Sequence, residues 1–108
     1  MRVLFDHSTP APLRLHLKAH VVAEARDLGW DRLANGDLLG RAEEAGFEVF
    51  VTADKNLRYQ QNLASRRIAV VVIANAQWRV LRNFADRVAL AVDEAKPGSF
   101  VEVSIPFE

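Results

Sequence analysis

The chain contains no cysteine, so neither a disulfide framework nor a thiolate metal centre is open to it. That absence suits a reducing compartment, and a cytoplasmic location is expected. Net charge is absent too: 14 basic residues balance 14 acidic ones, which argues against non-specific nucleic-acid binding by the whole surface. No apolar run approaches the ~18 residues of a membrane-spanning helix. No basic segment leads into a long apolar stretch near Met1, so no signal peptide is expected. Repeats, low-complexity tracts and interdomain linkers are likewise lacking. What remains is 108 residues at 50% hydrophobic content, enough for one domain over residues 1–108 that buries a core without staples.

Hydrophobic periodicity alternates between strand and helix along the whole chain. Arg2–Phe5 reads as a strand, and Pro10 and Pro12 open a helix through about Lys18, with Leu13, Leu17 and Val21 expected on one face. A weak second strand follows near His20–Ala25, then a loop over Arg26–Gly36 punctuated by Gly29 and Gly36. A helix over about Asp37–Ala45 follows, with Asn35 as its N-cap and Gly46 as its left-handed terminator. Glu48–Thr52 is a third strand, Leu57–Ser65 a short helix, and the wholly apolar Ile68–Ile73 a central parallel strand covered on both faces. The spacing of Leu81, Phe84, Val88 and Ala91 or Val92 predicts a long helix over Gln77–Glu94, broken by Pro97-Gly98. The alternating tail Phe100–Ile105 suits an edge strand. The order predicts an α/β fold with a mostly parallel central sheet and helices on both sides.

Charge is distributed unevenly. Residues 1–54 hold six basic and nine acidic side chains, whereas residues 55–96 hold eight basic and three acidic ones. An acidic half beside a basic half suits a polyanionic substrate, although most of the arginines fall on helix or turn positions where solvated faces are the commoner reading.

Three acids stand out. Asp6 ends the run Val3-Leu4-Phe5, Asp54 ends Val49-Phe50-Val51-Thr52-Ala53, and Asp37 opens the middle helix. In an open α/β sheet, ligands bind beyond the carboxyl ends of the strands, where Asp6 and Asp54 are delivered. Carboxylates gathered there repel one another unless a cation joins them, and Mg²⁺ is typically held by one or two carboxylates plus water. Each acid also has a plainer reading: Asp37 as a favourable charge at a helix start, Asp54 as a cap for the next helix.

Leu4-Phe5-Asp6, Asn35-Gly36-Asp37-Leu38-Leu39 and Val51-Thr52-Ala53-Asp54-Lys55-Asn56-Leu57 together resemble the short PIN-like proteins, compact relatives of the PIN-domain ribonucleases. The resemblance covers nearly the whole chain. It implies a three-layer α/β/α sandwich whose acids gather around Mg²⁺ or Mn²⁺ and hydrolyse RNA phosphodiester bonds, in many cases as the toxin of a toxin–antitoxin pair. Carried over by position, Asp6, Asp37 and Asp54 are the catalytic, metal-holding acids. Asn56 stands where the family often has a further acid and becomes an amide ligand, and Asn35 stands where many relatives place an acid.

Around these acids, His7, Lys55, Arg58, Tyr59 and Gln60 are candidates for contacting RNA, single-stranded or structured. A cation and a stacking ring near Asp54 form the kind of platform that binds single strands. A short amphipathic helix with Leu57 and Leu63 inward explains the same residues without RNA. Trp30 and Trp78 read by default as core or subunit packing. With the edge strands they make a homodimer plausible, and an antitoxin is the other protein partner implied. Two alternatives from other classes stay open: a non-catalytic PIN-like binding protein, and a phosphoacceptor receiver domain with Asp54 as acceptor. The receiver lacks a second acid beside Asp6, a hydroxyl after the fourth strand and a lysine after the fifth.

Overall fold

Alternation along the strands sorts the core into two layers. In the computed structural model, which describes residues 1–57, 63 and 66–107, β1 (Arg2–Phe5), β2 (Val21–Glu24), β3 (Val49–Thr52), β4 (Ala69–Ile73) and β5 (Phe100–Val103) form one sheet. Its order is β2-β1-β3-β4-β5 and every pairing is parallel. Successive side chains point to opposite faces of a strand. Val3, Phe5, Val49, Val51, Val71 and Ile73 therefore enter one core, with Leu13, Leu17, Leu81, Val88 and Val92. Leu4, Phe50, Val70 and Val72 enter the other, against Leu38, Leu39 and Ala42. β4 is apolar throughout and wholly buried, because both of its faces are covered. The chain is an α/β sandwich around a parallel sheet.

Three α-helices lie among the described residues: α1 (Asn35–Glu44), α2 (Trp78–Leu81) and α3 (Ala85–Asp93). No helix among them is long and apolar enough to cross a membrane. Several local expectations change. The segment after Pro10 is a 3₁₀ helix over Ala11–His16, closed by bonds from the Leu13 amide to the Pro10 carbonyl and from the Leu17 amide to the Arg14 carbonyl. Its buried stripe is only Leu13 and Leu17, too little tertiary packing to hold a longer α-helix. The long helix expected over Gln77–Glu94 is interrupted by a 3₁₀ turn at Arg82–Phe84, where the Phe84 backbone leaves helical geometry. Leu81, Ala85, Val88 and Val92 stay buried across the break, so periodicity reported the buried face and not the backbone bonding. The helix expected over Leu57–Ser65 falls almost wholly outside the described residues.

The ends of α1 show which sequence signals held. Gly46 has φ +85°, which favours glycine there; a Cβ would also meet the Arg2 guanidinium at 2.9 Å, a contact the flexible arginine tip can relieve by shifting. Asn35 is not the N-cap. Ala34 occupies that position, and the Asn35 side chain is directed elsewhere.

One clip ties α1 to the start of β4. Glu43 Oε1 accepts from the Arg66 guanidinium at 2.9 Å, and Oε2 accepts from the amides of Arg67 at 2.7 Å and Ile68 at 3.2 Å. Burial raises the Glu43 carboxyl, but the Arg66 hydrogen bond, the two amides and the Arg66 charge together outweigh it and hold the group below its ordinary range.

Candidate functional site

The strand order reverses at β1. From β1 the chain steps outward to β2, then returns past β1 to β3 and continues through β4 to β5. In doubly wound sheets such a reversal opens a crevice beyond the carboxyl ends of the two strands flanking it, here β1 and β3. Asp6 follows the last residue of β1, and Thr52, Ala53 and Asp54 carry β3 over the same edge.

Asp6 is only 5% exposed. Its Oδ1 accepts from the Ser8 amide at 3.1 Å, the Ser8 hydroxyl at 2.7 Å and the Thr9 hydroxyl at 2.9 Å. Its Oδ2 accepts from the Thr52 hydroxyl at 2.6 Å. Thr9 Oγ1 is also 2.9 Å from the Val51 carbonyl, so its one proton is shared between two acceptors. Burying a carboxylate costs several kcal/mol, and each hydrogen bond to an ionised group returns about 1.5–3 kcal/mol. The hydroxyl cage is therefore sufficient to fix this side chain. It fills Oδ1 and leaves Oδ2 with capacity for one further partner.

Thr52 connects the two acids. While donating to Asp6 Oδ2, its oxygen accepts from the Asp54 amide at 3.0 Å. Ser8 reinforces the link, because its hydroxyl accepts from the Ala53 amide at 3.0 Å. Asp54 is half-buried: Oδ1 accepts from the Asn56 amide at 3.0 Å, and Oδ2 accepts from the Asn35 side-chain amide at 3.0 Å. The first is a local turn bond of the kind aspartates make two residues on. The second joins the start of α1 to the loop after β3. Each Asp54 oxygen keeps a free lone pair.

Asp37 lies apart from this network. It is exposed in the first turn of α1, along a shallow groove with Leu33, Gly40, Arg41 and Glu44. The helix phase explains the difference. Leu38 and Leu39 face the core, which turns Asp37 outward and leaves Asn35 as the α1 residue that reaches Asp54.

The outer residues fall as follows. His7 is exposed and shares a small dent of about 40 Å³ with Asp6, Thr9, Glu24 and Arg26. The Lys55 ammonium lies 4.8 Å from the centroid of the Phe107 ring, a cation–π contact with the tail after β5. Asn56 is exposed and contributes its backbone amide to Asp54. Arg58, Tyr59 and Gln60 lie outside the described residues. Trp30 packs edge-on against Phe47 and Trp78 leans on His16, both half-buried against the two cores. His20 holds Asp93 at 2.6 Å with most of its own side chain buried.

Glu24 is the residue that sequence reading missed. It ends β2 beside Phe5 of β1 and is held by Arg14 at 3.2 Å and Arg26 at 3.1 Å. The signal was an acid closing the run Val21-Val22-Ala23, the same signal used for Asp6 and Asp54, here obscured by the weakness of the strand.

Electrostatically the site is one-sided. Among the described residues the ion pairs are Arg14–Glu24, Arg26–Glu24, Arg66–Glu43 and His20–Asp93, and none involves Asp6, Asp37 or Asp54. Nor do the described residues contain a group of three or more His, Asp or Glu placed to hold a metal ion. The oxygen donors present are the open position on Asp6 Oδ2 and the two Asp54 oxygens. That set fits a hard divalent cation of the kind held by one or two carboxylates with water completing the shell.

The strand order is also that of receiver domains. Beyond β4, however, come Ala74-Asn75, where Asn75 bonds the Pro106 carbonyl and the Gln77 amide, and no lysine follows β5. No protein-family model, curated protein or solved structure matches this chain.

Proposed function

We propose that this protein is a PIN-like ribonuclease that hydrolyses RNA phosphodiester bonds with Mg²⁺ or Mn²⁺ at the β1–β3 crevice. The observation that carries the reading is the pairing of Asp6 and Asp54 across Thr52, with no cationic side chain among the described residues set against either acid. Asp6 Oδ2 and the Asp54 carboxylate would hold the ion, with the amide oxygen of Asn56 as a supplementary ligand. A divalent cation so placed supplies an activated water and stabilises charge on the phosphoryl group. The chain's own part is positional. Ser8, Thr9 and Thr52 fix Asp6, Asn35 and the Asn56 amide orient Asp54, and His7 and Lys55 are the described groups nearest in sequence for backbone phosphates. RNA as substrate, a cytoplasmic toxin role and an antitoxin partner rest on the motif resemblance around Asp6, Asp37 and Asp54.

The test is cleavage of a labelled single-stranded RNA by the full chain, with Mn²⁺ or with EDTA. Metal-dependent cleavage by the wild type that falls about 100-fold or more in Asp6→Asn and Asp54→Asn, on the scale of losing a catalytic electrostatic contact, supports the assignment. Activity unchanged by Asp6→Asn removes it.

A second reading is a PIN-like protein that binds RNA without cutting it. The filled Oδ1 of Asp6, and amides at Asn35 and Asn56 beside Asp54, favour this reading. Its signature in the same experiment is RNA retained intact by the wild type in Mn²⁺.

A further inference from the structure

Between α3 and the edge strand β5 runs a groove of about 350 Å³, floored by Ala91, Val101 and Val103. Leu90 stands on its lip 57% exposed, and Val101 is 41% exposed within it. Arg87, Glu94, Lys96 and Ser99 supply the polar part of its lining.

Arg87 and Glu94 both sit where α3 disfavours them. Arg87 lies in the first turn, where the helix dipole opposes a cation, and Glu94 follows the last turn, where it opposes an anion. The Arg87 guanidinium stacks on Phe84 at 4.6 Å and donates to the Ser104 carbonyl at 2.9 Å, but no carboxylate among the described residues meets it. Asp93 is matched by His20, whereas the Glu94 carboxylate has no ion pair among the described residues. Seven residues separate Arg87 from Glu94, two helical turns or about 10 Å along one face. Leu90 and Ala91 lie midway.

That arrangement is self-complementary. A two-fold axis through the Leu90–Ala91 midpoint sets two copies of α3 antiparallel, with each Arg87 opposite the other copy's Glu94. We propose that this face is a homodimer interface, in which Leu90 of one copy covers the α3–β5 groove of the other and two Arg87–Glu94 pairs flank the contact. The contact is isologous, as two-fold dimers require. Strand-to-strand extension through β5 is not the mode. Exposed Glu102 and the Arg87 cap on the Ser104 carbonyl both guard that edge.

The test is sedimentation equilibrium of the full chain from about 5 to 200 μM, a range that brackets micromolar association. The expected result is a dimer in the wild type. Arg87→Glu and Glu94→Arg should each weaken it about tenfold or more by turning two attractions into repulsions, and the double variant R87E/E94R should restore it. Leu90→Glu should give a monomer with unchanged circular dichroism. Glu94→Arg touches no internal contact, so it stands as the charge test even if Arg87→Glu, having lost its Ser104 bond, folds poorly. A wild-type monomer throughout overturns the proposal. So does a dimer indifferent to Glu94→Arg and Leu90→Glu, which would place the interface elsewhere.

Discussion

The Asn35 side-chain amide donates a 3.0 Å hydrogen bond to Asp54 Oδ2, so the first turn of α1 and the loop after β3 are held together by a neutral donor and not by a shared ion. The geometry at this point accommodates a carboxylate in place of the amide, at the cost of setting two negative groups against each other.

Asn35→Asp should therefore make stability depend on divalent metal. Two carboxylates about 4 Å apart repel by up to about 4 kcal/mol at the effective dielectric of a protein surface. One kcal/mol moves the melting temperature of a domain this size by about 4–8 °C. Differential scanning calorimetry should show the variant melting several degrees below wild type in EDTA and recovering in millimolar Mn²⁺. Equal melting with and without metal would contradict the placement of Asn35 beside an ion-competent carboxylate.

Thr52→Val should be costly and Thr52→Ser mild. The valine removes the 2.6 Å donor to buried Asp6 Oδ2 and the acceptor for the Asp54 amide. Leaving buried polar groups unpaired costs about 1–3 kcal/mol each. Urea unfolding should show a loss of about 2–4 kcal/mol for Thr52→Val, with most of it regained by serine, which keeps the hydroxyl. Similar losses in both variants would show that keeping the hydroxyl does not preserve the site, and would count against the link between the acids.

The architecture was legible in the sequence because the central strands advertise two buried faces, while β2 and β5 at the edges keep exposed residues. Val49–Val51 and Ala69–Ile73 are apolar, and the acids Asp6 and Asp54 that follow the first and third strands mark the functional edge. Two of the three acids, Asp6 and Asp54, come to that edge as expected. Asp37 does not join them, because a residue at a helix start points wherever Leu38 and Leu39 demand, and that phase cannot be read without knowing where the helix begins. The start itself was misplaced by two residues when Asn35 was taken for a cap. Its side chain satisfies Asp54 instead, a long-range choice that local capping preference does not encode. Glu24 escaped notice because Val21–Glu24 makes a weak strand at the sheet's edge.

The clip at Glu43 predicts a pH signature. Its carboxyl is held below the ordinary value of 4.5, so the folded state favours the ionised form. Its stabilisation is fully present above the unfolded value and is lost as pH falls through the lower folded one. Glu43→Gln should thus cost about 1–2 kcal/mol at neutral pH, on the scale of hydrogen bonds to a charged group. The gap to wild type should narrow below about pH 4. Urea titrations at both pH values check this, and a constant gap would show that ionisation of Glu43 contributes nothing.

Asp37→Asn should leave metal affinity and RNA cleavage within about twofold of wild type, as expected for an exposed side chain outside the hydrogen-bond network of Asp6 and Asp54. A large loss on that substitution would show that α1 rearranges to bring Asp37 to the crevice.

The most direct measurement is Mn²⁺ binding followed by electron paramagnetic resonance, in the wild type and in Asp6→Asn, Asp54→Asn and Asp37→Asn. One bound ion per chain, weakened about tenfold or more by the first two substitutions and unaffected by the third, is the predicted result. Binding that survives the loss of both Asp6 and Asp54, or no binding by a folded wild-type chain, contradicts it.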